Sequence, residues 1–146
     1  MGFDTPTQTV LYSIEQAIKE YRKFCQKNIS EVISDITVDQ GLVLIIIDKN
    51  PKMTQKEMAE LVFKDYASMT RMIDLMVKKG YLKRLINEED RRRFLLEITT
   101  KGKEALEKLQ PTIEYNRNTA LKGLSATEIL QLYNSLQKII TNCQES

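Results

Sequence analysis

The chain has 146 residues, of which 42% are hydrophobic and 29% charged, which is enough for one packed domain and argues against disorder. It has no histidine and only two cysteines, Cys25 and Cys143, far apart in the sequence, so we expect neither a metal nor a cofactor. Because it shows neither a membrane-span pattern nor a secretory signal, we expect a cytoplasmic protein.

Charge is unevenly distributed along the chain. Residues 71–103 carry ten Lys or Arg against five Asp or Glu, whereas the remaining residues carry twelve against fifteen. A basic middle between acidic flanks indicates that this part of the molecule binds a polyanion, although a solvated surface could give the same counts.

The N-terminal part of the sequence predicts two helices. Apolar residues at three-and-four spacing indicate one long amphipathic helix over residues 10–32. Thr37 and Gln40 have the capping-box spacing, which predicts a second helix containing GLVLIII (residues 41–47). A buried strand fits the periodicity of this run equally well, and the capping box favours the helix.

The next segment has the pattern of a short helix, a tight turn and a longer helix. Thr54 and Glu57 form a second capping box before about two helical turns. After a break at residues 63–64, Asp65 is a good N-cap for a helix that runs to Lys79 and stops at Gly80. This pattern predicts a helix-turn-helix.

Two runs of strand length, YLKRLI (residues 81–86) and FLLEIT (residues 94–99), surround a polar loop and predict a β-hairpin. A helix-turn-helix followed by a hairpin is a winged helix. Thr100 is then expected to cap a further helix, which Pro111 kinks and Gly123 ends. A third capping box at residues 125–128 predicts a last amphipathic helix.

The predicted fold is therefore mainly α-helical with a small β-hairpin wing. We expect a winged helix-turn-helix at residues 37–99, between an N-terminal dimerisation helix at 1–36 and C-terminal dimerisation helices at 100–146, in one intertwined domain. The winged helix is too small to bury the apolar faces of the terminal helices, so we predict a homodimer. The alternative is an intramolecular bundle, in which those helices would cover too little of one another.

One face of the fourth helix lies opposite its apolar residues and carries Ala67, Ser68, Arg71, Asp74 and Lys78, with Thr70 near its edge. Small and hydrogen-bonding side chains near the start of a helix suit insertion into the major groove of DNA. An ordinary exposed helix surface would have a similar composition.

The loop INEEDRRRF (residues 86–94) sets three acids against three arginines, so bulk attraction to phosphate cannot be its purpose. If Asp90 stiffens the tip through a hydrogen bond, Arg92 can reach into a narrow, electronegative minor groove. Asp90, Arg91 and Arg92 are accordingly the candidate wing contacts. The alternative is a solvated turn whose ion pairs contribute little.

Together these residues resemble the MarR (multiple antibiotic resistance regulator) family of winged-helix transcription factors. The fragments that carry the resemblance are MTQKEMAEL (53–61), SMTRMIDLMVKKGYLKR (68–84), DRRR (90–93) and EITTKG (97–102). It implies a homodimer that binds a pseudo-palindromic operator, usually as a repressor, and that a small aromatic or lipophilic effector often releases. It also implies groove contacts by Ser68, Thr70 and Arg71, and an Asp-x-Arg wing motif at Asp90 and Arg92. VFKDYA (62–67) departs from the pattern because its turn lacks glycine.

Three aromatic residues of the first helix, Tyr12, Tyr21 and Phe24, are candidates to line an effector pocket, although core aromatics would have the same spacing. Family members that sense hydroperoxides have a reactive cysteine near the start of this helix. Cys25 lies further along, on the apolar stripe, which favours packing.

The alternative function is a winged-helix protein-interaction module that does not bind DNA. An enzyme is not expected, because no catalytic constellation is visible.

Overall fold

The computed structural model describes residues 5–90 and 94–145. Its elements, in chain order, are a 3-10 turn at Pro6–Gln8, α1 at Val10–Val32, α2 at Val38–Lys49, α3 at Gln55–Leu61, α4 at Tyr66–Lys78, β1 at Leu82–Ile86, β2 at Phe94–Ile98, α5 at Thr100–Ala120 and α6 at Ala126–Gln144. The two strands pair antiparallel, with Leu82 opposite Ile98 and Ile86 opposite Phe94. The predicted fold class, helical with a β-hairpin wing, is confirmed.

Local hydrogen bonds at the helix starts explain why the helices begin where they do. The capping boxes predicted at Thr37, Thr54 and Ser125 are all formed, with the side chain and the backbone of each cap bonded to the third helical residue. Residues 41–47 are therefore helical, and the alternative of a buried strand was wrong. Gly80 adopts a left-handed φ of +87°, as predicted for the stop after α4.

The start and end of α5 differ from the prediction. Thr99, not Thr100, is the N-cap, because its hydroxyl accepts from Gly102 N at 3.1 Å and donates to Gly80 O at 2.6 Å. The hydrogen bond to Gly80 O attaches the start of α5 to the segment before β1. Thr99 makes this bond, and Thr100 does not. The helix continues through Pro111 and ends at Ala120, three residues before Gly123.

The turn of the helix-turn-helix is made without glycine. Phe63 adopts the left-handed conformation, with φ +59°, while its side chain is 94% exposed. Lys64 N donates to Ala59 O at 2.9 Å, which closes the end of α3. A bulky residue therefore takes the backbone conformation usually given to glycine, at a conformational cost of roughly 1–2 kcal/mol.

The core lies where the first five helices and the hairpin meet. Its fully buried apolar residues include Val43, Leu44, Met58, Met69, Ile73, Met76, Leu82 and Leu109. The spacing of apolar residues predicts that Met69, Met72, Ile73 and Met76 of α4 face inward; Met69, Ile73 and Met76 are buried, and Met72 is half-buried against the core. One face of α4 is thus fixed against the core, and the opposite face remains exposed.

The last helix buries none of its residues in the single chain. Its apolar side chains remain open to solvent, with Leu130 and Tyr133 each 59% exposed. Within residues 5–90 and 94–145, no helix combines the length and the hydropathy that a membrane-spanning segment requires.

Candidate nucleic-acid interface

The start of α4 is organised by hydrogen bonds on its exposed side. Asp65 caps the helix by accepting from Ser68 N at 2.7 Å, and this backbone hydrogen bond lowers the pKa of Asp65 below its usual range. Arg71 Nη2 in turn donates to Ser68 Oγ at 3.1 Å. The predicted contacts Ser68 and Arg71 therefore lie together, one turn apart, on the face opposite Met69 and Ile73.

Thr70 lies at the boundary of this face and makes two hydrogen bonds. Its hydroxyl donates to Tyr66 O at 3.0 Å and accepts from Gln55 Nε2 at 2.6 Å. Gln55 is the first residue of α3, so this contact joins the two helices of the helix-turn-helix. Sequence reasoning missed Gln55, because no local pattern relates two residues that are fifteen positions apart.

The wing is attached to α4 by an ion pair. Arg84 of β1 donates to Asp74, which lies on the exposed side of α4. Across the hairpin, Lys83 and Glu97 pair at 3.3 Å between Nζ and Oε2. Lys78 is exposed at the end of α4. The hairpin and the exposed face of α4 are therefore held in a defined relation.

The base of the wing tip is organised by Asn87. Its Oδ1 accepts from Glu89 N at 3.0 Å and from Asp90 N at 3.3 Å. Asn87 could have been recognised from the sequence, because asparagine commonly bonds the backbone two residues on. Asp90 is half-buried, whereas the predicted contacts Arg91 and Arg92 lie outside the described residues.

Asp39, at the start of α2, joins the helix-turn-helix to α1. Arg22 Nη2 lies 2.6 Å from Oδ1, and Lys64 Nζ lies 3.2 Å from Oδ2. Burial by itself would raise the pKa of this carboxyl, but hydrogen bonds and positive charge from Arg22 and Lys64 outweigh it and lower the pKa. The ionised carboxylate holds the turn before α4 against the first two helices.

A cavity of about 260 Å³ opens between α1, α2 and α5. Its lining is mainly apolar and includes Ile18, Leu42, Leu109 and Ile113, together with the polar groups of Arg22, Asn116 and Arg117. An apolar cavity with a few convergent polar groups is the usual form of a small-molecule site.

The three aromatic residues predicted for an effector pocket occupy different environments. Tyr21 lines the cavity, and burial together with a hydrogen bond to Cys25 raises its pKa. Phe24 packs against Tyr115, with ring centroids 6.3 Å apart, and Tyr12 is 41% exposed near the start of α1. Cys25 is buried beside Tyr21 as a free thiol. The structure thus brings only Tyr21 of the three to the cavity.

Comparison with known proteins identifies the family. The MarR family model matches residues 36–94. The multiple antibiotic resistance protein MarR of Escherichia coli (strain K12) is 33% identical over 107 residues, which cover 73% of this chain and 74% of that protein. The chain belongs to the MarR family. A further relative is the HTH-type transcriptional regulator BilQ of Clostridium symbiosum (strain WAL-14163), which is 26% identical over 132 residues that cover 90% of each chain.

Solved MarR-family structures agree with this assignment. A crystal structure of a cysteine-to-serine mutant of E. coli MarR, complexed with operator DNA, superimposes with a TM-score of 0.83. It is 26% identical and covers 95% of this chain and 99% of the matched chain. The relatives are transcription regulators and not enzymes, so the protein is a winged-helix transcription regulator of this family.

Proposed function

We propose that the protein is a sequence-specific repressor, which binds a pseudo-palindromic operator as a homodimer and releases it when a small effector binds. The observation that carries the proposal is the exposed face of α4. Ser68 and Arg71 are joined there by a hydrogen bond, opposite the buried side of the helix, and Asp74 ties the same face to the wing. Such a face fits the major groove while the wing reaches the neighbouring minor groove.

The terminal helices support the homodimer. All residues of α6 are at least partly exposed, and α1 exposes Leu11 and Ile18 by 63% and 50%. Contiguous apolar faces of this kind mark interaction sites, and two copies of the chain can bury them across a two-fold axis. Sedimentation of the purified protein is expected to give twice the mass of one chain.

The cavity between α1, α2 and α5 supports the effector. Its apolar lining suits a small aromatic or lipophilic compound, and Tyr21 offers a ring for it to pack against. Arg22 belongs both to the cavity lining and to the ion pair with Asp39. A ligand in the cavity would therefore contact Arg22, whose ion pair with Asp39 helps to hold the turn before α4. Ligand binding can in this way change the position of α4, the helix proposed to contact DNA.

Salt dependence of duplex binding tests the proposal against the alternative of a protein-interaction module. If the dimer neutralises several phosphates, log K should fall linearly with log salt by nearly one unit for each phosphate contacted. Fluorescence anisotropy with a labelled duplex measures this slope. Failure to bind any duplex at low ionic strength would contradict the proposal.

The wing is tested by Arg92→Ala. If Arg92 enters the minor groove, this substitution should weaken operator binding by roughly 1–3 kcal/mol while the dimer remains folded. Lys122→Ala removes one exposed charge from the turn after α5 and serves as the control. Equal affinity of the wild type and Arg92→Ala would mean that the wing does not contact DNA.

A further inference from the structure

Hydrogen bonding fixes the orientation of the Gln55 carboxamide. A hydroxyl has one proton to donate, and Thr70 gives its proton to Tyr66 O at 3.0 Å. Thr70 can therefore only accept from Gln55, so the amide must present its NH₂ group across the 2.6 Å contact. Among the described residues, the second amide hydrogen and Oε1 of Gln55 have no partner.

The position of Gln55 indicates which acceptor the second amide hydrogen of its side chain can bond. In a helix-turn-helix, the first helix crosses the sugar–phosphate backbone and the second lies in the major groove. Gln55 begins the first of these helices, α3, and is bonded to Thr70 on the second, α4. Phosphate oxygens are hydrogen-bond acceptors, and amide side chains are among the groups that commonly donate to them.

We propose that Gln55 is a DNA contact that bridges the backbone and the recognition helix, with one amide hydrogen on a phosphate oxygen and the other on Thr70. The inference rests on the proposed DNA-binding function. Because Thr70 already holds the amide, little side-chain entropy is lost on binding. This chain of hydrogen bonds, from Thr70 through Gln55 to a phosphate, is the bridge, and it fixes how deeply α4 lies in the major groove. In the bridge, Thr70 positions the side chain of Gln55.

Affinity measurements on two duplexes separate a phosphate contact from base reading. Gln55→Ala should weaken binding to a selected operator and to a scrambled duplex by the same factor, about tenfold or more. Gln55→Glu, which is nearly the same shape, should bind more weakly still, because a carboxylate has no N–H and repels phosphate. Gln110→Ala, an exposed glutamine of α5, is the matched control and should bind as the wild type.

The bridge to Thr70 has its own test. Thr70→Val keeps the volume of the side chain but removes the acceptor, so it should weaken binding, whereas Thr70→Ser keeps the hydroxyl and should restore it. The loss caused by Thr70→Val should largely disappear in the Gln55→Ala background, because the two residues act through one contact. Independent, additive losses would overturn the bridge. Thermal unfolding of each variant shows that the fold is retained.

Neutral methylphosphonates, placed one at a time in the duplex, locate the contact. At one position in each half-site, the modification should weaken binding of the wild type but have little further effect on Gln55→Ala. Unchanged affinity of Gln55→Ala, or a loss on the operator alone, would overturn the inference. If the wild type binds no duplex, the proposed DNA-binding function itself fails. That result differs from the two outcomes that overturn only the role of Gln55, because in both of those the wild type still binds DNA.

Discussion

At the scale of single residues, Gly102 shows how closely the hairpin and α5 pack. A Cβ on this glycine would overlap Tyr81 O and lie 2.6 Å from Ile98 Cγ2, and neither the backbone oxygen nor the methyl group of a β-branched side chain can move away at little cost. Gly102→Ala should therefore lower the free energy of unfolding by about 1–3 kcal/mol, as measured by denaturant unfolding. The required close approach explains why glycine occurs in EITTKG.

Gly41 provides the matched control for this prediction. It is also buried in a helix, but a Cβ there would make only ordinary contacts, at 3.9 Å from Ile36 Cγ2 and 4.0 Å from Leu109 Cδ1. Gly41→Ala should be neutral or stabilising, because alanine is the better helix former by roughly 0.5–1 kcal/mol. Equal destabilisation by both substitutions would contradict the contact at Gly102.

At the scale of elements, Asp39 joins three segments and makes stability depend on pH. Because its folded-state pKa is lowered, its ion pairs stabilise the fold above the unfolded-state pKa of about 3.9, and this stability is lost as the pH falls through the folded-state pKa. Asp39→Asn should cost roughly 1 kcal/mol at neutral pH. Unfolding measured across this range should show the difference from wild type shrinking below about pH 4.

Glu15→Gln is the control for Asp39. It removes an exposed pair with Lys19 at 3.7 Å on α1, where solvent screens the charges, and should change little. A difference between wild type and Asp39→Asn that persists undiminished into acid would contradict the role assigned to the charge.

On the exposed face of α4, we predict that Arg71 contacts bases and that Lys78 contacts phosphate. Arg71 lies in the N-terminal half of α4, bonded to Ser68, whereas Lys78 is the last residue of the helix. Arg71→Ala should alter discrimination among operator sequences, while Lys78→Ala should weaken all sequences alike and reduce the salt slope by about one. Binding to a panel of operator variants measures both effects. A uniform loss from Arg71→Ala would show that this residue does not read bases.

The elements could be predicted well where their signals are local. Capping boxes and three-and-four spacing lie within a few residues, so the starts of α1 to α4 follow from the sequence. Thr99 and Thr100 are equally good caps by sequence, and a bond to Gly80 across the fold decides between them. The contacts of Gln55 and Asp39 could not be predicted from local sequence either, because their partners are distant in sequence and come together only when the helices pack.

At the scale of the whole molecule, the single chain leaves a large apolar surface on α1 and α6. Leu130 and Tyr133 remain more than half exposed, although their helix is well capped and amphipathic. A second copy of the chain would bury this surface and carry a second recognition helix. The proposed function depends on this pairing, because one helix alone reads only half of a palindrome.

Selection of bound duplexes from a random pool tests this central claim most directly. If two chains present two recognition helices, the selected sequences should contain inverted half-sites whose centres lie one helical turn apart, ~34–36 Å, or a multiple of it. Sequences that contain a single half-site without symmetry, or a pool that yields no enriched duplex at low ionic strength, would contradict the account.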